Sequence, residues 1–125
     1  MKNLLVLFCI SLLSLNSFAG GHITKEDKEK TIKCLGHYAA ISFISADQIE
    51  AKDLEYALAS YKVARAYLKN EKVNEEEINT GVNKVVDELI GQPFNNERND
   101  DCNSFIYKLI PGSKEEIEKM RGTLE

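Results

Sequence analysis

The chain lacks tryptophan and contains only two prolines and seven glycines among its 125 residues. This shortage of turn-forming residues argues against an all-β fold, in which many short strands are joined by turns rich in Gly and Pro. Glycine-rich phosphate-binding loops are also missing, as are the Gly-x-Ser-x-Gly and Ser-x-x-Lys motifs of hydrolases with a serine nucleophile. The sequence therefore favours a helical protein and offers no motif that would indicate an enzyme.

Basic residues are outnumbered as well. The chain has 16 lysines and arginines against 20 aspartates and glutamates, which gives a formal net charge of −4. Binding to nucleic acid or to an anionic membrane surface depends on clustered Lys and Arg side chains that neutralise phosphate. A mildly acidic chain is a poor candidate for either partner.

The one long apolar run lies at the N-terminus. Lys2 precedes an apolar stretch at 4–15, and Ser17-Phe18-Ala19 then places small residues where a signal peptidase reads them. This order is typical of a secretory signal peptide, and the run is shorter than the roughly 20 residues of a membrane-spanning helix. We predict cleavage after Ala19, a single helical domain over residues 20–125 that is not embedded in a membrane, and a periplasmic or secreted location.

Cysteine is scarce, with three residues in the chain. Cys9 falls within the predicted signal peptide, which leaves Cys34 and Cys102 in an oxidising compartment. An even number of cysteines in a small exported domain indicates a disulfide bond. Because these residues are far apart in sequence, the bond would close a long loop, and the chain-entropy model assigns such a loop roughly 4 kcal/mol of stabilisation.

Capping signals divide the mature chain into helices. Thr24, Asn74 and Ser113 are each followed three residues later by Asp or Glu, as in a capping box. Gly91 and the proline at position 93 predict the end of the third helix. The sequence thus predicts an all-α fold: a small bundle of four to five helices held by one disulfide.

Some helix boundaries stay open at this level. Helix 1 carries an apolar face that continues through Phe43 to Ala46, and Gly36 within the helix favours the close approach of another helix. Helix 2 begins at Asp47 or at Asp53 and, because two of its faces are apolar, is expected at the centre of the bundle. A polar loop at 91–99 is expected before helix 4, which would begin near Asn99 or Asp100.

Few residues suggest chemistry. His37 lies one helical turn from Cys34, so the pair, with Cys102 and His22, has the residue types of a metal site. Oxidation of the two cysteines would remove their thiolates, and we therefore expect no metal and no cofactor.

The tyrosines suggest a binding surface instead. Tyr56, Val63 and Tyr67 form a stripe on helix 2 that a small bundle does not necessarily cover. Tyrosine is enriched at protein interfaces. This stripe is the candidate protein-binding face.

The segment Cys34-Leu35-Gly36-His37-Tyr38 resembles the Cys-x-Gly-Tyr segment of periplasmic immunity proteins directed against type VI secreted amidases, with His37 in place of the aromatic residue. The resemblance covers five residues of one predicted helix and transfers no site residue. It implies that the 91–99 loop and the acidic loops face a basic toxin.

We therefore expect a small exported, disulfide-stabilised helical protein that binds another protein, as immunity proteins and inhibitors do, and that is not an enzyme. One alternative is an acid-activated periplasmic holdase chaperone, in which protonation of carboxylates loosens the bundle. The other alternative is a bundle that binds a small molecule or lipid in an apolar pocket beside helix 2. The partner's identity and the oligomeric state are open. In the chaperone alternative, the carboxylates whose protonation would loosen the bundle are Glu75 to Glu77, Asp87 and Asp100-Asp101.

Overall fold

The computed structural model describes residues 23–124, and over this range the protein is all-helical, as the sequence predicts. The predicted signal peptide at residues 1–19 lies outside the described residues. Within residues 23–124, no helix combines the length and the apolar character that crossing a bilayer requires. The helices are α1 (Lys25–Ile41), α2 (Ala51–Asn70), α3 (Glu75–Leu89), α4 (Asn96–Leu109) and α5 (Ser113–Leu124), with a short 3-10 helix (Ala46–Gln48) before α2.

Side-chain caps begin α1 and α3, as predicted. The Thr24 hydroxyl accepts a hydrogen bond from the backbone N–H of Asp27 at 3.1 Å. The Asn74 side chain accepts two such bonds from the first turn of α3, at 2.8 and 3.3 Å. At the other end of α3, Gly91 adopts a φ of +87°, a left-handed conformation that favours glycine after a helix. These ends are set by local chemistry, which is why the sequence reveals them.

Two helix starts, those of α4 and α2, differ from the prediction. Helix α4 begins at Asn96, not near Asn99 or Asp100, because the Asn95 side chain caps it by accepting a hydrogen bond from the backbone N–H of Arg98 at 2.8 Å. The expected loop at 91–99 is correspondingly shorter.

Helix α2 begins at Ala51, between the two predicted starts, with Glu50 at the cap position and no side-chain cap. Ser113 does begin α5, but the N–H of Glu116 bonds to the Gly112 carbonyl, and the Ser113 hydroxyl donates to the Ile106 carbonyl at 3.3 Å. The buried Ser113 side chain therefore ties α5 to α4 where a capping box was expected.

Helix α1, not α2, occupies the centre of the bundle. It packs against α2, α3 and α4, whereas the main contacts of α2 are with α1 and α5. Helix α1 buries polar residues that lower its apparent hydropathy, among them Thr31, whose hydroxyl donates to the Asp27 carbonyl at 2.6 Å. Internal hydrogen bonds of this kind make such burial affordable. Phe43 lies beyond the end of α1 and is 61% exposed, so its predicted place on the buried face is wrong.

Helices α1 and α3 run parallel and touch through two glycines. A Cβ atom on Gly36 would overlap Val85, and one on Gly81 would overlap Ile32. The numbering offset between α1 and α3 is the same in both contacts. Each helix thus provides a glycine that receives a branched side chain of the other, which confirms the expected role of Gly36.

Helices α1 and α4 are joined covalently. Cys34 and Cys102 form the predicted disulfide, with their Cα atoms 5.5 Å apart. Both residues are buried in the same apolar core as Leu35, Leu68 and Ile106. The disulfide therefore links the two helices, α1 and α4, between which the polar contacts described below are formed.

Candidate functional site

The predicted tyrosine stripe on α2 is only partly at the surface. Val63 is 6% exposed and belongs to the core. Tyr56 is half-buried, and its hydroxyl shares a hydrogen bond with the Tyr107 hydroxyl of α4. Tyr67 is also half-buried, and burial raises the pKa of its phenol. An exposed face can therefore include only parts of the two tyrosine rings, for which partner binding stays a prediction.

His37 and Tyr38 make polar contacts between α1 and α4. The His37 Nε2–H donates to the side-chain oxygen of Asn99 at 3.0 Å. The Tyr38 hydroxyl donates to the side-chain oxygen of Asn103 at 2.8 Å. Since both histidine and tyrosine are almost fully buried, these bonds satisfy groups that would otherwise be costly to remove from water.

Burial controls the ionisation of both side chains. It lowers the pKa of His37, and the nearby Arg98 guanidinium acts in the same direction, whereas the bond to Asn99 opposes them. Burial likewise raises the pKa of Tyr38 far above its ordinary value. Both groups are therefore held neutral at neutral pH, which fits a structural role at the α1–α4 contact.

The residues considered as metal ligands do not form a site in the described range. Cys34 and Cys102 are bonded to each other, so neither offers a thiolate. Between residues 23 and 124, no three His, Cys, Asp or Glu side chains come together in a metal-binding arrangement. His22 lies outside the described residues.

A groove of about 890 Å³ lies between α1 and α3, on the outer side of their glycine contacts. Its floor contains Ile32 of α1 together with Gly81 and Val85 of α3. The short, exposed side chain of Thr80 also lines the depression, whereas the space beside Gly81 is filled by Ile32. We call this surface the α1–α3 groove.

The charges around the α1–α3 groove are separated along its length. Glu29, Glu76 and Glu77 line one end, which we call the acidic end. Lys33 and Lys84 lie further along the two parallel helices and form the lysine end, beyond which Glu88 also lines the groove. Within the described residues, the one ion pair that involves these six side chains joins Glu77 to Lys28 at 2.8 Å.

A second depression, of about 370 Å³, adjoins the lysine end and reaches the disulfide. It shares Lys33, Val85 and Glu88 with the groove. Lys30 and Arg98 add positive charge on this side, although the Lys30 ammonium lies 3.8 Å from the Asp101 carboxylate. Glu88 and Asp101 also line this depression, so charges of both signs lie between the groove and α4.

The α1–α3 groove was not predicted from the sequence. One signal was available: Glu76, Thr80, Lys84 and Glu88 follow one another at steps of four, so they share one face of α3. The pairing of that face with α1 depends on tertiary contacts and cannot be read from either helix alone.

Comparison of the chain with protein-family models, with curated proteins and with solved structures found no match in any of the three. The chemistry of the described surface is therefore the basis for assigning a function.

Proposed function

We propose that this chain is a small exported, disulfide-stabilised helical protein that binds another protein through the α1–α3 groove, as immunity proteins and inhibitors bind their targets. The observation that supports this role is the combination of an apolar floor at Ile32, Gly81 and Val85 with a charged rim. Protein interfaces have the same anatomy, with an apolar centre surrounded by polar residues.

Export is supported by two features. The predicted signal peptide would direct the chain out of the cytoplasm. The Cys34–Cys102 bond is of the kind that persists in oxidising compartments such as the periplasm or the extracellular space. We therefore propose a periplasmic or secreted protein after cleavage at Ala19.

A binding role rather than a catalytic one is supported by the state of His37. General acid–base catalysis needs a titrating group within hydrogen-bond reach of a substrate. The His37 side chain is 3% exposed in total, and its Nε2 is occupied by Asn99. We accordingly propose that the protein acts by binding to its partner, without catalysing a reaction.

The test is affinity capture with the oxidised mature protein, using periplasmic extract of the source cells and of neighbouring competitor cells, at neutral and at acid pH. Thr80→Arg places a long cation in the groove at an exposed position. Asn83→Arg is the matched control, because Asn83 is exposed on the same helix and does not line the groove. Mass spectrometry identifies the captured proteins.

We expect one stoichiometric partner at neutral pH, lost with Thr80→Arg and retained with Asn83→Arg. Capture of many proteins at acid pH alone would contradict the proposal and support the holdase alternative. Co-purification of a lipid or small molecule with no protein partner would support the ligand-binding alternative. Equal capture by both variants would show that the groove is not the binding surface.

A further inference from the structure

We infer that the partner element in the α1–α3 groove is an amphipathic helix whose charges are segregated, with basic residues at the end that meets the acidic end of the groove and acidic residues toward the other. This inference rests on the proposed function and specifies the chemistry of the partner.

The parallel packing of α1 and α3 produces the charge separation. Ile32 packs on Gly81 and Val85 on Gly36, so equivalent turns of the two helices lie side by side. Glu29 consequently falls beside the first turn of α3, which carries Glu76 and Glu77. Lys33 falls beside the turn that carries Lys84. Glutamates of both helices thus collect at the acidic end, where Lys28 pairs with Glu77, and lysines of both helices collect at the lysine end, with Glu88 of α3 beyond them.

Along α3 the groove is long enough for a helix, whereas its α1 wall, from Glu29 to Lys33, spans about one turn. Its α3 wall extends from Asn74 to Glu88, which at 1.5 Å per residue is roughly 21 Å, the length of about 14 helical residues. A third helix laid between two parallel helices would bury an apolar stripe on the floor formed by Ile32, Gly81 and Val85. A helix binds such a groove through side chains spaced three or four residues apart, which here would be aliphatic.

Most of the charges at the groove are available to a partner. Glu29 and Glu76 are exposed, and Lys33 and Lys84 make no ion pair within 4 Å in the described part of the chain. Charge complementarity with a segregated helix would therefore fix the direction in which that helix lies. A helix whose charges alternate along its length would meet charges of its own sign at both ends of the groove, whichever way it lay.

The experiment uses the oxidised mature protein and two synthetic helical peptides of identical composition with the same leucine face. One peptide carries its lysines in one half and its glutamates in the other, and the second alternates them. Affinity is measured by fluorescence anisotropy at low and at high salt. A photo-crosslinker at the lysine-rich end of the first peptide reports which end of the groove it occupies.

We expect the segregated peptide to bind about tenfold more tightly than the alternating peptide, since two favourable charge pairs are gained. The advantage should shrink at high salt. The crosslinker should attach near the first turn of α3. Equal affinities, or crosslinking near Lys84, would overturn the inference.

Glu29→Lys combined with Glu76→Lys should remove the preference for the segregated peptide. Glu115→Lys combined with Glu116→Lys is the matched control, because it makes the same change of charge at exposed positions on α5, which packs against α2 and α4. Circular dichroism confirms that both variants fold. Equal losses in both would show that net charge alone governs binding and would overturn the inference.

Failure of the inference can be told apart from failure of the proposed function. If Thr80→Arg abolishes capture of the natural partner but the two peptides bind equally, the groove binds a protein and the inferred charge pattern is wrong. Sedimentation equilibrium tests whether a second copy of this chain occupies the groove. Self-association that Glu29→Lys combined with Glu76→Lys abolishes would also overturn the inference.

Discussion

Helices α3 and α4 are held to α1 by different kinds of contact. Helix α3 meets α1 through Gly36 and Gly81, where branched apolar side chains fill the space that the glycines leave. Helix α4 meets α1 through a disulfide and through hydrogen bonds from His37 and Tyr38. The first contact depends on shape and the second on covalent and polar bonds.

This difference bears on function. The glycine contact brings α1 and α3 close together, with the α1–α3 groove on its outer side. The polar contact joins two buried side chains of α1 to two side chains of α4 through hydrogen bonds. We therefore assign binding to the α1–α3 side of the bundle and stability to the α1–α4 side.

The largest effect is expected on the covalent side. Replacing both cysteines, Cys34→Ala with Cys102→Ala, should lower the free energy of unfolding by about 4 kcal/mol, because the unfolded chain regains the entropy of a long loop. Urea unfolding of the oxidised protein and the variant measures the difference. A loss below about 1 kcal/mol would show that the α1–α4 contact is held mainly by its other bonds.

The next effect is expected on the glycine side. Gly36→Ala should lower the free energy of unfolding by about 1 to 3 kcal/mol through overpacking against Val85, even though alanine is the better helix former. Gly122→Ala is the control, since Gly122 lies in helix α5 with open space around it. That variant should be neutral or more stable by up to about 1 kcal/mol. Equal effects at the two positions would contradict the close approach of α1 and α3.

A smaller effect is expected at the polar α1–α4 contact, where the free energy of unfolding should depend on pH. Because burial lowers the pKa of His37 in the folded protein, the unfolded chain binds a proton more readily. The stabilising contribution is fully present above the ordinary histidine pKa of 6.5 and is lost as the pH falls below it. Urea unfolding between pH 7.5 and pH 5 should show this loss, and His37→Gln should flatten the slope about this range. A slope of the opposite sign would contradict the burial of His37 as a neutral group.

The smallest effect is expected at the exposed pair of Arg65 and Glu75. The Arg65 guanidinium donates to the Glu75 carboxylate at 3.0 Å and lowers the pKa of that carboxyl. The stabilising contribution of this ion pair is present above the ordinary pKa of 4.5 and is lost as the pH falls through the lowered pKa of the Glu75 carboxyl. Glu75→Gln should therefore change stability only slightly, and less at high salt. A large loss on acidification that Glu75→Gln removes would instead favour the acid-switched chaperone.

The features predictable from sequence are those set by neighbours in the chain. The caps at Thr24 and Asn74 require only a side chain and a backbone N–H a few residues away. The disulfide followed from the expected number of cysteines in the mature chain. The start of α4 was missed because Asn95 and Asn99 are both capable caps, and only Asn95 makes the capping bond, while Asn99 accepts from His37.

The features that were not predictable depend on which helices meet. The central position of α1 was missed because Thr31 and His37 made it look less apolar than α2. Val63 was placed on a binding face because a face of α2 could not be assigned to the core without knowing that α1 and α5 pack there. The groove was missed for the same reason, since it exists only where α1 and α3 lie in parallel.

Binding through the α1–α3 groove is tested by the affinity of the purified natural partner for the oxidised protein and its two arginine variants, determined by titration calorimetry at neutral pH. We expect Thr80→Arg to weaken binding by at least about tenfold, and Asn83→Arg to bind like the unaltered protein. Unchanged affinity with Thr80→Arg, in a variant whose circular dichroism and urea midpoint are intact, would contradict the assignment of binding to the α1–α3 groove.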